Sequence, residues 1–105
     1  MFDRIRKENG RPYVINFSKT SCKPCLKLAP AYEKLAEDLA DKVDFYKIDA
    51  DTFGFWATSV FKKEGIRSTP TCKVYCRGDS VDKVNNMDDL EDTVNGVLRQ
   101  VDMAP

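Results

Sequence analysis

The sequence contains no histidine and no excess of charge of either sign, and both absences limit what the chain can do. Without histidine it lacks the usual general base of hydrolases and the commonest zinc ligand. Its 17 lysines and arginines balance its 17 aspartates and glutamates, so no overall basic field favours nucleic acid or an anionic membrane. Long hydrophobic runs are also missing, which argues against a membrane-spanning helix. We therefore expect no nucleic-acid or membrane partner, no bound metal and no cofactor.

The chain does have the length of one domain and four cysteines. Its 105 residues are enough to bury one hydrophobic core, which predicts a single domain over 1–105. The opening residues 1–4 mix an acid with a base, which is not typical of a signal or transit peptide, so we expect a cytoplasmic, reducing location. Four cysteines in such a compartment indicate redox chemistry or metal binding more than structural bridges.

Hydrophobic periodicity predicts helices and strands in alternation, followed by a hairpin and a last helix. The predicted elements are a helix at 2–8, a strand at 13–17, a helix through 28–39 kinked by Pro30, a strand at 43–49, a helix at 53–64 stopped by Gly65, strands at 71–76 and 80–84 around a turn at 77–79, and a helix capped by Asn86. This order indicates an α/β fold whose mixed central sheet has about four strands and carries helices on both faces.

The candidate chemistry lies in the Cys-Lys-Pro-Cys segment at 22–25, between the first predicted strand and its following helix. Cys22 would occupy the helix N-terminus, where free backbone N–H groups and the helix dipole favour a thiolate. Lys23 adds a positive charge, and Pro24 suits an early helical position because no N–H is needed there. We therefore interpret Cys22 as the attacking thiolate and Cys25 as the thiol that resolves a mixed disulfide.

Two other interpretations of the pair are possible. It could be half of a zinc site completed by Cys72 and Cys76, but zinc sites usually present their second pair on a loop rather than along one strand face. It could also be a structural disulfide, although so short a loop contributes little stabilisation. We interpret Cys72 and Cys76 mainly as small buried hydrophobic residues, with regulatory oxidation of Cys72 as the alternative.

Several separated motifs make the chain similar to the thioredoxin family over nearly its whole length. They are the cysteine pair after a buried strand, Pro30 eight residues beyond Cys22, the Lys-Ile-Asp-Ala-Asp segment at 47–51, and the Arg-Ser-Thr-Pro-Thr segment at 67–71. The resemblance implies a thioredoxin fold and a protein-disulfide reductase. It also implies disulfide-containing protein substrates and electrons from a thioredoxin reductase or a glutathione-type donor.

The resemblance further implies which residues bind substrate. Pro70 would follow a cis peptide bond and face the Cys22 sulfur, leaving the backbone of Thr69 open to pair with an extended substrate segment. Ser21, Lys23 and Pro24 would complete this substrate-binding surface.

The chain departs from the family pattern at five positions of the expected site. The family usually has tryptophan where this chain has Ser18 and Ser21, and aspartate where it has Asn16. It usually has glycine where this chain has Lys23 and Asn85. The first edge strand of the family is also expected to be missing. The loss of both tryptophans and of a groove glycine supports an alternative function, a thioredoxin-fold partner-binding module with weak or specialised redox activity.

We expect Asn16 and Lys47 to tune the cysteines. A buried aspartate in place of Asn16 would oppose a nearby thiolate and could accept the proton of Cys25. Asn16 does neither, so we expect an easier thiolate at Cys22 and slower deprotonation of Cys25. Lys47, which the family would pair with that aspartate, needs another partner or must extend to water.

The sequence also has an aromatic-rich segment, Phe53 to Trp56, beyond the second predicted strand. We predict that Phe53, Phe55 and Trp56 pack mainly in the core, because aromatic side chains are usually buried. A binding surface beside the cysteines is the alternative.

Overall fold

The computed structural model describes residues 11–77 and 79–103. In chain order its elements are β1 (Tyr13–Ser18), α1 (Lys23–Asp38), β2 (Asp44–Asp49), α2 (Ala50–Phe53), α3 (Phe55–Lys63), β3 (Thr71–Cys76), β4 (Asp79–Val84) and α4 (Met87–Met103). The predicted helix at 2–8, the fate of the family's first edge strand and Gly78 of the hairpin turn lie outside the described residues. Within the described ranges, no helix is both long and apolar enough to cross a membrane.

The four strands form one mixed sheet in the order β2-β1-β3-β4, as predicted. β1 pairs in parallel with β2 and antiparallel with β3, and β3 pairs antiparallel with β4. Because β1 is central, all six of its residues are buried, which explains why Tyr13, Val14, Ile15 and Phe17 are apolar on both faces of the strand. The parallel pairing brings the carboxyl ends of β1 and β2 to the same sheet edge, where the polypeptide enters α1 and α2.

Helices cover both faces of the sheet, and each face has its own core. On one face Val14 and Val74 pack with Leu28 of α1 and with Leu90 of α4. On the other face Ile15 and the neighbouring alternate residues of β1 pack against Ala57 and Phe61 of α3. The period-two alternation of β1 therefore divides its side chains between two helical layers.

The helix predicted at 53–64 is instead two helices, α2 and α3, separated by Gly54. Asp49 caps α2, since its carboxylate accepts hydrogen bonds from the N–H groups of Asp51 and Thr52. Gly54 then has φ +60° and ψ −126°, a conformation that favours glycine and that starts α3 in a new direction. Elsewhere the expected boundaries are close, and Asn86 caps α4 as predicted by accepting from the N–H of Asp89 at 2.9 Å.

A buried ion pair closes the far side of the α3 core. The ammonium group of Lys73 lies 3.4 Å from the carboxylate of Glu64 and donates to the Glu64 backbone carbonyl at 3.0 Å. The Tyr75 hydroxyl donates to the same carboxylate, while its ring stacks on Tyr13 with centroids 4.7 Å apart. With the two charged side chains only 11% and 8% exposed, each depends on the other for its charge partner.

Replacing Glu64 with alanine should lower the free energy of unfolding by about 2–3 kcal/mol, because a buried ammonium loses its carboxylate. Urea denaturation measures this loss. The matched control is Glu33→Ala on the exposed face of α1, which should change stability by no more than about 0.5 kcal/mol. Equal effects of the two substitutions would contradict a stabilising role for the pair.

Candidate active site

Cys22 is the N-cap residue of α1, as the sequence predicts. Its backbone is extended, with φ −93° and ψ 114°, and its sulfur accepts a hydrogen bond from the backbone N–H of Cys25 at 3.3 Å. Pro24 occupies the first turn of α1, and no acidic side chain lies in that turn to offset the positive end of the helix. The reacting sulfur therefore lies where the free N–H groups of a helix favour negative charge.

The surroundings lower the pKa of the Cys22 thiol and raise that of the Cys25 thiol. Burial by itself raises the pKa of the Cys22 thiol, but it is outweighed by hydrogen bonds from Cys25 and Thr69 and by the charge of Lys19, so the net pKa is lowered. Burial and the hydrogen bond to Cys22 raise the pKa of Cys25, which is 5% exposed. The chain thus holds one sulfur ready to ionise and keeps the other protonated.

The loop before β3 lies against the Cys22 sulfur. The peptide bond between Thr69 and Pro70 is cis. The protonated Cys22 thiol donates to the Thr69 carbonyl oxygen at 3.5 Å, so Thr69 is in contact with the nucleophile. Pro70 is buried, whereas Ser21, Lys23 and Pro24 are exposed around the sulfur. The structure brings together all five residues expected at the substrate surface.

Two aspartates at the end of β2 fix the loop that precedes Cys22. The Asp49 carboxylate accepts from the backbone N–H of Thr20 at 3.3 Å and also from its hydroxyl. The Asp51 carboxylate accepts from the backbone N–H of Ser21 at 3.0 Å and from its hydroxyl at 2.9 Å. Burial raises the pKa of Asp49, but the hydrogen bonds it accepts hold the net pKa below its ordinary value. These roles of Asp49 and Asp51 were not predicted from the sequence. The polar residues at the end of the second predicted strand were the pattern that could have indicated them.

Asn16 lies on the sheet face that α1 covers, directly opposite Cys72 in the antiparallel register. Its side chain is 1% exposed, and its Oδ1 has no hydrogen-bond partner among the described residues. Burial and the neighbouring Cys25 raise the pKa of Cys72 to about 12, so Cys72 remains a thiol at neutral pH. Asn16 therefore lies beside Cys72, which in turn lies close enough to Cys25 to interact with it electrostatically.

Comparison with known proteins agrees with this geometry. The thioredoxin family model matches residues 1–99. The chain belongs to the thioredoxin family. It is a thiol–disulfide oxidoreductase of the protein-disulfide reductase type, and the adjacent cysteines at 22 and 25 are its CxxC motif.

Named thioredoxins are similar in sequence and in structure. The H-type thioredoxin of Chlamydomonas reinhardtii is 40% identical over 76 residues, which cover 72% of this chain and 64% of that protein. Thioredoxin 1 of Plasmodium falciparum is 36% identical over 88 residues, covering 84% and 79%. The solved P. falciparum thioredoxin superposes with a TM-score of 0.77 at 33% identity over 90% of this chain and 89% of that one. Spinach chloroplast thioredoxin f (long form) gives a TM-score of 0.75 at 32% identity over 84% and 71%.

The structure also places the remaining candidate residues. Lys47 is next to Asn16 in the parallel register but its side chain is exposed, so it extends to water. The charge that lowers the pKa of Cys22 comes from Lys19, which sequence reasoning missed. Cys76 is half-buried at the other end of β3 from Cys72. Among residues 11–77 and 79–103, no three metal-ligating side chains come together.

The prediction that the aromatic segment packs mainly in the core is wrong. Phe53, Phe55 and Trp56 are all exposed, while Ala57 and Phe61 of α3 contribute the buried contacts. The reason is the break at Gly54, which a single continuous helix would not contain.

Alkylation should modify Cys22 before Cys25 across neutral pH, because its lowered pKa leaves more thiolate at any given pH. Iodoacetamide labelling of the reduced protein, followed by peptide mass spectrometry, measures both rates as pH rises. The midpoint for Cys22 should lie below that of an ordinary cysteine, and the midpoint for Cys25 above it. Preferential labelling of Cys25 would contradict the assignment, and Cys22→Ser serves as the control for peptide identity.

Proposed function

We propose that this thioredoxin reduces protein disulfides with Cys22 as the nucleophile and Cys25 as the resolving thiol. The observation that carries this order is the hydrogen bond from the Cys25 N–H to the Cys22 sulfur at the helix N-cap. It stabilises charge on the half-buried sulfur that a substrate can reach, whereas the buried Cys25 keeps its proton until a mixed disulfide has formed.

The proposed reaction proceeds through two exchanges. The Cys22 thiolate attacks one sulfur of the substrate disulfide, forming a mixed disulfide and releasing the other substrate sulfur as a thiolate. Cys25 then gives up its proton and attacks the Cys22 sulfur, which breaks the bond to the substrate. The substrate leaves as a dithiol after its thiolates are protonated. It has gained two electrons, and the two cysteines that supplied them are joined as the Cys22–Cys25 disulfide.

Substrate positioning is assigned to the surface around Cys22. The backbone of Thr69 lies in contact with the sulfur and can pair with an extended segment of the substrate. Pro70 supports this loop from beneath, while Ser21, Lys23 and Pro24 form the exposed rim on the other side. Disulfide-containing proteins are therefore the proposed substrates.

The oxidised pair must be reduced again for turnover. We assign this step to a thioredoxin reductase or a glutathione-type donor, in agreement with the family's dithiol chemistry. We propose a cytoplasmic location, because a reducing compartment keeps the cysteines of a dithiol reductase available as thiols.

Turnover of insulin disulfides, with NADPH and a thioredoxin reductase as the electron source, tests the proposal. The wild type should sustain turnover, whereas Cys22→Ser should lose it because no nucleophile remains. Absence of turnover by the wild type would favour the partner-binding module instead.

The order of the two cysteines is tested by trapping. Cys25→Ser should accumulate a mixed disulfide through Cys22, since resolution needs the second thiol. Cys22→Ser should accumulate none. Equal trapping by both variants in non-reducing electrophoresis would show that the mechanism is not ordered.

Asn16→Asp should raise the pKa of Cys22 and speed resolution of the mixed disulfide by about tenfold or more. The new carboxylate would be buried beside Cys72, which interacts with Cys25, and there it repels a thiolate and can accept the Cys25 proton. Alkylation against pH and stopped-flow single turnover measure the two effects.

Asn16→Leu is the matched control for that substitution. Like asparagine it carries no charge, so the pH dependence of Cys22 alkylation should stay that of the wild type. If Asn16→Asp changes neither the pH dependence nor the resolution rate, Asn16 does not tune the cysteines.

A further inference from the structure

Three exposed aromatic side chains, two of them in contact with each other, lie on either side of Gly54 and are not used by the mechanism above. Phe53, Phe55 and Trp56, here called the aromatic surface, are 53%, 88% and 48% exposed. The rings of Phe53 and Trp56 meet edge to face with centroids 5.7 Å apart, so they form one contiguous unit. A clustered aromatic patch of this kind marks a contact site more often than an isolated exposed residue does.

The backbone holds these side chains outward. Gly54 separates α2 from α3 with φ +60°, and a Cβ atom built there would meet no atom within 4 Å. The glycine is therefore required by the backbone conformation rather than by crowding. The side chains of Phe55 and Trp56 at the start of α3 are exposed, whereas Ala57 and Phe61 supply the contacts to the sheet.

The aromatic surface is tied to the nucleophile by the two aspartates. Asp51 accepts two hydrogen bonds from Ser21, the residue before Cys22, and lies two residues before Phe53. With consecutive Cα atoms 3.80 Å apart and a 3.0 Å hydrogen bond between Ser21 and Asp51, this short path places the Cα atom of Phe53 within about 20 Å of that of Cys22. Asp49 adds a second tie between the same segments through Thr20.

The area of the surface distinguishes its possible occupants. At about 200 Å² for each aromatic side chain, the exposed fractions amount to roughly 400 Å². A second copy of the chain seated on this patch alone would bury only about 800 Å² in total, less than a stable interface needs. A protein docked on Cys22 covers about 800 Å² of each partner, a disc of about 16 Å radius that extends from Cys22 towards the aromatic surface.

We propose that the aromatic surface binds the disulfide-bearing substrate protein, through apolar side chains that flank its disulfide. This inference rests on the proposed function and adds its specificity: substrates with apolar surroundings at the disulfide are preferred.

Phe55→Ser tests the contribution of the most exposed ring. The ratio of kcat/KM for insulin to kcat/KM for a small aromatic disulfide should fall by about fivefold to tenfold, as expected for loss of an interface aromatic residue. The control is Val81→Ser on β4, a hydrophobic residue exposed to 48% and away from α2 and α3, which should leave the ratio unchanged. An unchanged ratio for Phe55→Ser would overturn the proposal.

The electron source distinguishes substrate from reductase. The fall should persist when dithiothreitol replaces the reductase. A fall seen only with the reductase would make the reductase the occupant and overturn the proposal.

Trp56 reports occupancy directly, because it is the one tryptophan of the chain. In the Cys25→Ser variant, a mixed disulfide with tryptophan-free insulin should shift Trp56 emission to shorter wavelength and reduce its quenching by acrylamide. A mixed disulfide that forms with unchanged quenching would overturn this inference and leave the proposed function intact. Failure to form any mixed disulfide would overturn both, and protection that appears without substrate as protein concentration rises would identify a second copy instead.

Discussion

The hydrogen bond from the Cys25 N–H to the Cys22 sulfur, 3.3 Å long, joins the end of a helix to the reacting atom. It costs no reorganisation at the moment of reaction, because β1 and α1 already fix both ends. β1 is buried on every residue and α1 packs on the sheet through Leu28 and Tyr32. The nucleophile is therefore held between a fully buried strand and a helix packed on the sheet, while its own sulfur stays within reach of solvent.

In the core beside Cys25 the chain places neutral polar groups rather than a charge. Asn16 and Cys72 lie opposite each other on neighbouring strands, and the pKa of Cys72 is raised to about 12 by burial and by Cys25. These neutral groups leave the thiolate of Cys22 unopposed but supply no carboxylate to take the proton of Cys25. In the proposed mechanism, these buried residues influence the balance between attack by Cys22 and resolution by Cys25.

The loop before Cys22 is held by hydrogen bonds to two aspartates, here called the aspartate bracket, and it carries Ser21 where the family usually has tryptophan. Asp49 and Asp51 accept hydrogen bonds from Thr20 and Ser21, which positions the loop before Cys22. The same two aspartates belong to or cap the short helix α2, whose end at Gly54 turns the aromatic side chains outward. One segment therefore both orders the nucleophile loop and presents an apolar surface next to it.

The sequence by itself determined the features that depend on local pattern. The apolar run of β1, the strand at 71–76, the Asn86 cap and the position of Cys22 at a helix start all follow from neighbouring residues, and the structure has each of them. Only the tertiary structure decided the aspartate bracket, the charge of Lys19 on Cys22, and the exposure of the aromatic segment. The bracket joins residues 29 or 30 positions apart in the sequence. The exposure of the aromatic side chains depends on the break between two helices at Gly54. The aspartate hydrogen bonds form only when β1 and β2 pair side by side, and no periodicity within one segment contains them.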